Sequence, residues 1–217
     1  LTGTNAANYA GVGVSFLNDK MYVTDDVFHL GEPWDVKLTQ LDLSSGEVSY
    51  LNSQDSSLNW PGLASNKSES LLYTIDLNDN LTLKTITPEG FITSVGIGTS
   101  VDGRGMAYDD TNHILYSTNI DGTLHSIDTR TGTSTLIGNI GFPRLSFVGL
   151  AYDKLSQRLY ANINVSSTDY IGSLYELNVE TGASSLIGAN YEPLDSNAVY
   201  FIDGLAWMPE AQIVPEP

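Results

Sequence analysis

One feature limits what this chain can become more than any other, and it is a repeat. Four stretches align: GVSFLNDKMYV from Gly13, GLASNKSESLLYT from Gly62, GMAYDDTNHILYS from Gly105 and GLAYDKLSQRLYA from Gly149. In the last three, Gly and Tyr stand eleven residues apart (Gly62/Tyr73, Gly105/Tyr116, Gly149/Tyr160). In the first, Gly13 and Tyr22 stand nine apart, which predicts a tighter turn. A fifth opening, GLAWMP from Gly204, begins the pattern again. Self-similarity at a steady spacing means stacked supersecondary units, each needing neighbours to bury its apolar face.

The second half of each unit repeats as well: VKLTQLDLSSGEVSYL, LTLKTITPEGFITSVG, TLHSIDTRTGTSTLIG and SLYELNVETGASSLIG. Each reads as an alternating strand, a turn closed by Gly46, Gly90, Gly132 or Gly182, and a second alternating strand. The turns Asp42–Gly46, Asp128–Gly132 and Asn178–Gly182 join a side-chain oxygen that satisfies backbone amides to a glycine that accepts positive φ. Each unit thus holds four short strands, and the units start about 43 to 55 residues apart. Four-stranded units at that spacing are the blades of a propeller. Helical periodicity and capping boxes are absent. The expected fold class is all-β, a β-propeller of four complete four-stranded blades plus leftover terminal strands.

Those leftovers are IDGLAW, an inner strand without a blade, and LTGTN, which resembles LIGNI and LIGAN and reads as an outer strand without a blade. Three arrangements use them: a four-bladed ring with spare strands, a partial fifth blade, or a strand that completes a neighbouring molecule. An unpaired strand edge invites association, so the question bears on assembly. The expected organisation is one propeller-like domain over residues 1–210 and an extended tail over 211–217.

Acidic residues outnumber basic ones 26 to 9, a formal charge of −17. Such a surface repels phosphate backbones and anionic membranes, so neither nucleic acid nor a membrane is an expected partner of the mature form. Divalent cations and cationic partners are the natural counterparts. With no cysteine there are no disulfides, thiolate metal sites or cysteine nucleophiles. No apolar run reaches membrane-spanning length, and LTGTNAANYA has neither an initiator Met nor a signal-peptide pattern, so the chain reads as mature or trimmed.

Catalysis finds little to work with. His29, His113 and His125 fall in different blades and lack ligand spacing. There is no Gly-x-Ser-x-Gly elbow, and GIGTSVDGRG (Gly96 to Gly105) reads as a link between blades. Asp25, Asp26 and Asp35 in the long first-blade loop, with Asp102 and Asp203 before inner-strand glycines, are the carboxylates available to a glycosidase or lyase. In a chain this acidic such a set arises by chance, and the expectation is a protein that is not an enzyme.

Calcium is the better candidate ligand. DLNDN, with Asp76, Asn78, Asp79 and Asn80, opens like a calcium loop. It then departs from that pattern, with Leu81 where Gly is required and Thr87 at the closing acidic position. Aligned on Asp121-Gly122, Asp79-Asn80 reads as a turn. Asp25-Asp26 and Asp109-Asp110 are weaker candidates. No cofactor is expected beyond this calcium site. Tyr22, Tyr73, Tyr116 and Tyr160 share one register, which predicts packing between blades with each hydroxyl bonded. Trp34 and Trp60 fall outside the repeat and are the candidates for stacking on a sugar, including exopolysaccharide. Asn66, Asn80 and Asn164 open glycosylation sequons.

The GLAYD…LY…G.LY.ID..TG….IG pattern resembles the propeller repeats of secreted bacterial proteins over nearly the whole chain. The last residues, Val214, Pro215, Glu216 and Pro217, resemble the sorting signal of the PEP-CTERM family residue by residue. The helix and basic tail that follow the signal in that family are not in this sequence. The resemblance implies export by a Gram-negative bacterium and handling by an exosortase. It also implies an extracellular or cell-surface setting such as the biofilm matrix. The expected role is structural or adhesive, and the leftover terminal strands add self-assembly into filaments by terminal-strand exchange. A carbohydrate- or calcium-binding lectin-like propeller is the alternative, and a propeller glycosidase or lyase stands third.

Overall fold

The fold is that of a computed structural model, which describes residues 9–27, 35–51, 61–145, 148–164 and 172–189. Sixteen strands pair into four antiparallel sheets, each in chain order from one edge to the other. Blade 1 holds β1 (Tyr9–Leu17), β2 (Lys20–Val27), β3 (Asp35–Asp42) and β4 (Val48–Leu51). Blade 2 holds β5 (Ala64–Asn66), β6 (Leu71–Asp76), β7 (Thr82–Ile86) and β8 (Ile92–Val95). Blade 3 holds β9 (Gly105–Asp109), β10 (Ile114–Thr118), β11 (Thr123–Ile127) and β12 (Ser134–Asn139). Blade 4 holds β13 (Val148–Asp153), β14 (Arg158–Asn164), β15 (Gly172–Leu177) and β16 (Ser184–Ala189). The first strands touch in the sequence β1, β5, β9, β13, so they form the inner wall of a four-bladed β-propeller. No helix occurs among the described residues. The terminal stretches LTGTN and IDGLAW, and the tail 211–217, lie outside them.

Local chemistry explains the turns. The nine-residue spacing in blade 1 leaves only Asn18 and Asp19 between β1 and β2, with φ of 52° and 61°. Positive φ at both central residues gives the primed turn whose twist matches a hairpin, and Asn and Asp tolerate it. The other blades use four residues and confine positive φ to the last, Ser70, His113 or Gln157. The Asp/Asn-to-Gly turns repeat one geometry: the amides of Gly46, Gly132 and Gly182 each donate to the carbonyl of Asp42, Asp128 or Asn178 at 2.8 Å. The side chain of that first residue accepts the amides two and three places on, as Asn178 does from Glu180 and Thr181, both at 2.9 Å. The Ser44 hydroxyl first, and then the Ser45 and Ser44 amides, all donating to Oδ1, hold the exposed Asp42 carboxyl down at about 2.

Between the blades lie three apolar cores. Leu17, Tyr22 and Leu38 of blade 1 meet Leu63, Leu72 and Ile86 of blade 2. Tyr73, Ile75 and Leu83 of blade 2 meet Met106, Leu115 and Ile127 of blade 3. Tyr116 and Leu124 of blade 3 meet Leu150, Tyr152, Leu159 and Leu177 of blade 4. Burying each Leu or Ile contributes roughly 1.5–3 kcal/mol, so these faces carry most of the stabilisation that four thin sheets can gather. Two contacts set rings of neighbouring blades together: Tyr73 and Tyr108, tilted at 36° with centroids 5.5 Å apart, and Tyr116 stacked on Tyr152 at 5.9 Å. The shared Tyr register therefore does pack blade on blade. Tyr22 departs from the expectation that each hydroxyl is bonded. Its counterpart across the interface is Ser65 rather than Tyr, and its buried hydroxyl has no hydrogen-bond partner among the described residues.

Glycines let the blades approach at their outer strands. A Cβ on Gly138 would stand 1.9 Å from the Thr181 carbonyl oxygen, in the Asn178–Gly182 turn of the next blade. A Cβ on Gly96 would meet the Thr131 carbonyl oxygen at 2.0 Å in the same way. Gly188, at the same place in blade 4, would meet nothing within 4 Å. Gly138→Ala is expected to destabilise the protein by about 1–3 kcal/mol through this backbone clash, whereas Gly188→Ala stays within about 0.5 kcal/mol. Urea denaturation of the two variants checks the contrast, and equal effects would contradict it.

Candidate ligand-binding groove

Turns from neighbouring blades converge on an open groove of about 810 Å3 between blades 2 and 3. Glu69 comes from the β5–β6 turn, Tyr108 and His113 flank the β9–β10 turn, and Asp128, Thr129 and Arg130 come from the β11–β12 turn. The buried Asn66 holds the floor: its Nδ2 donates to Glu69 Oε2 at 3.0 Å and to Tyr73 Oη at 3.3 Å. Tyr73 Oη donates to Glu69 Oε2 at 3.3 Å, and Tyr108 Oη lies 3.3 Å from His113 Nδ1. Burial raises the pKa of both phenols, with further pressure on Tyr108 from Tyr73 and Glu69, so both stay protonated and serve as hydrogen-bond partners. A carboxylate, a guanidinium, an imidazole and the Tyr108 phenol around one open surface suit a polyhydroxylated ligand. They form no nucleophile–base–orienter set.

The central channel is a different space. It offers about 50 Å3, bounded by Ser15, Ser65, Tyr108 and Tyr152, with Lys67, Asp110 and Lys154 at one end. That holds a few waters and falls short of the few hundred Å3 of small-molecule sites. Asp110 Oδ1 accepts the Lys67 amide at 2.9 Å, which ties the turns of blades 2 and 3 together there. Burial first, and then the nearby Lys154, push the Lys67 ammonium below its usual pKa.

The DLNDN stretch is the turn from β6 to β7. Asn80 and Leu81 take positive φ (51° and 56°), and Asn80 Nδ2 donates to the Ile97 carbonyl at 3.1 Å. The buried Asp76 accepts the Asn78 amide at 3.0 Å. Lys84, from β7, places its ammonium 4.0 Å from Asp76 Oδ2, donates to Asp79 Oδ2, and donates to Ser94 Oγ at 2.9 Å. The cation between Asp76 and Asp79 is thus a side chain. Among the described residues no cluster of three or more His, Asp or Glu side chains suited to a metal occurs.

The other candidates are scattered. Asp25, Asp26 and Asp35 lie in strands and not in a loop: Asp25 pairs with Lys37, Asp26 with Val36 and Asp35 with Val27. A reading based on apolar alternation ends β2 too early, because two aspartates interrupt it. Asp102 sits in the link between blades 2 and 3, where its Oδ1 accepts the Ile120 amide at 3.1 Å and its Oδ2 accepts from Arg104 Nε at 3.0 Å. Burial raises its pKa against the pull of Arg104. Burial lowers that of His125, whose Nε2 is 2.9 Å from Thr123 Oγ1. Trp34, Trp60, His29, Asp203 and Val214–Pro217 lie outside the described residues. The groove itself escaped sequence reading because three turns of two blades make it. The one available signal is that Glu69 and His113 occupy the third and fourth places of equivalent turns.

No protein-family model matches the chain, and no curated protein matches it. Among solved structures it resembles the nidogen/laminin complex, at 15% identity and TM-score 0.64 over 92% of this chain and 69% of that one. It also resembles a structural-genomics protein of unknown function from Bacteroides thetaiotaomicron, at 14% identity and TM-score 0.61 over 84% of this chain and 46% of that one. An auxiliary nutrient binding protein from the same organism aligns at 14% identity and TM-score 0.59, over 83% of this chain and 42% of that one. The chain spans less than half the length of these last two. At such identities the likeness is one of fold.

Lys84→Met removes the ammonium from two carboxylates, one of them buried, and is expected to destabilise the protein by about 3 kcal/mol. Millimolar calcium should then raise the melting temperature of the variant, because an ion bound only by the native state stabilises it. The unsubstituted protein should melt alike in calcium and in excess chelator. A calcium-dependent melt of the unsubstituted protein would contradict this.

Proposed function

We propose that this protein is a secreted, non-catalytic structural or adhesive module of a bacterial cell surface or extracellular matrix. The observation that carries the reading is where its repeated residues are used. The glycines, tyrosines and leucines of the motif are spent on turns and blade-to-blade packing, while Asp42 and Asp128 hold turns and Asp79 and Asp102 pair with Lys84 and Arg104. The acidic surface keeps such a module soluble and resists unspecific clumping. The resemblance of Val214–Pro217 to the PEP-CTERM signal supports export and an exosortase as the processing partner. The fold likeness to a nidogen/laminin complex and to a nutrient binding protein agrees with a binding role.

The leftover terminal strands form a partial fifth blade in this reading, and how they are used decides assembly. Closure within one molecule gives a monomer. Donation to a neighbour is a contact between unlike ends, which propagates into a filament. Sedimentation across a concentration series tests this with the full chain and with residues 1–8 removed. Filaments that vanish on truncation, while the truncated chain still melts cooperatively, support donation. A full chain that is monomeric at every concentration excludes filaments and leaves the adhesive role to be tested by binding to matrix polysaccharide.

The alternative is a lectin-like propeller, and the groove of Glu69, Tyr108, His113 and Arg130 favours it over a glycosidase or lyase. Glycan binding lost on Arg130→Ala would support that alternative.

A further inference from the structure

A second groove opens at the same end of the molecule as the first. Successive strands of a blade run antiparallel, so the turn after its first strand and the turn after its third leave at one end. Between blades 1 and 2 three such turns enclose an open space of about 470 Å3: Asn18 from the β1–β2 turn, Ser70 from the β5–β6 turn, and Thr87 to Glu89 from the β7–β8 turn. The groove between blades 2 and 3 uses the same three turns one blade further on. Glu69 lines both, so the two grooves adjoin. The floor sets the blade 1–2 groove apart. Tyr22 lines it, fully buried, with a hydroxyl that has no hydrogen-bond partner among the described residues. Its counterpart Tyr73 is bonded to Asn66 and Glu69. Burial first, and then the Glu89 carboxylate, raise the Tyr22 pKa, so the phenol keeps a proton to donate. An unpaired buried hydroxyl destabilises a fold, and a ligand hydroxyl at this floor would satisfy it.

We propose that the two grooves form one track for an extended, uncharged polysaccharide, with Glu69 at the join and Tyr22 and Arg130 holding sugars on either side of it. The inference rests on the lectin-like reading and extends it from one groove to a chain of several sugars. Sugar hydroxyls need donors and acceptors together, and the track supplies both. Lys20, Tyr22 and Arg130 can donate, while Glu89, Glu69 and Asp128 can accept. Arg130 is exposed, and its ion pair with Asp128 is long at 3.5 Å, which leaves its other nitrogens for a ligand. Charges of both signs balance closely within the track, and the −17 charge of the chain repels an anionic polymer. A polymer that fills both grooves binds more tightly than a piece that fills one, because its second contact forms within the same complex.

Calorimetric titration of the full chain tests the track, with uncharged disaccharides to hexasaccharides of glucose, mannose, xylose and N-acetylglucosamine. At least one series is expected to bind about tenfold more tightly as the hexasaccharide than as the disaccharide. Tyr22→Phe deletes only the unpaired hydroxyl. It is expected to weaken hexasaccharide binding roughly three- to tenfold while the melting temperature stays level or rises. Arg130→Ala, at the other end of the track, is expected to weaken it by a similar factor of about three- to tenfold. A hydroxyl with a purely structural role would instead lower the melt on removal and leave binding unchanged. A hexasaccharide that binds no better than the disaccharide, or that only one of the two substitutions weakens, occupies a single groove. That result overturns the track while the lectin-like reading stands. No binding in any series overturns both.

Discussion

Every blade of this protein is a four-stranded sheet, and no such sheet can shield both of its faces. That constraint governs the rest. A small sheet alone is marginal in water, and here the facing sides of successive blades seal one another at three contacts, through a Tyr, a Leu and the inner-strand residues that meet them. The backbone bonds within each blade set register, while the apolar faces between blades supply the driving force. The turns then have to present each strand at the right angle, and they do so with glycines and a few other residues, such as Asn18, Asp19, Ser70 and His113, in positive φ.

The same constraint explains where surface chemistry arises. Packing consumes the strands, so polar groups able to meet a partner come from the turns at the blade ends. Glu69, His113 and Arg130 share a groove only because blades 2 and 3 are held in contact by Tyr73 on Tyr108. Position in this groove is a consequence of blade packing. The central channel, squeezed by four inner strands, has little room for anything but water.

Much of this was legible in the sequence, and the limits have physical causes. The repeat revealed the blades, and the nine-residue gap from Gly13 to Tyr22 revealed the two-residue turn at Asn18-Asp19. Asp25, Asp26 and Asp35 looked like a loop because charge masks alternation, yet the backbone ladder continues through them. DLNDN opens like an ion site in the sequence, and a local pattern does not register Lys84, the cation that reaches Asp76 and Asp79 from the following strand. The unbonded Tyr22 hydroxyl goes with Leu17, which stands in blade 1 where Asn66 of blade 2 bonds the Tyr73 hydroxyl. The groove needed three turns in space and no sequence pattern contains it.

Native-state hydrogen exchange in graded urea tests most directly whether blade-to-blade packing holds the fold. If it does, the central strands β6, β7, β10 and β11 of blades 2 and 3, each sealed on both faces, open together at the free energy of global unfolding, while the outer strand β4 exchanges earlier. Blades that exchange independently, with β6 and β10 no better protected than β4, would show that each sheet is stable by itself and would contradict the central claim.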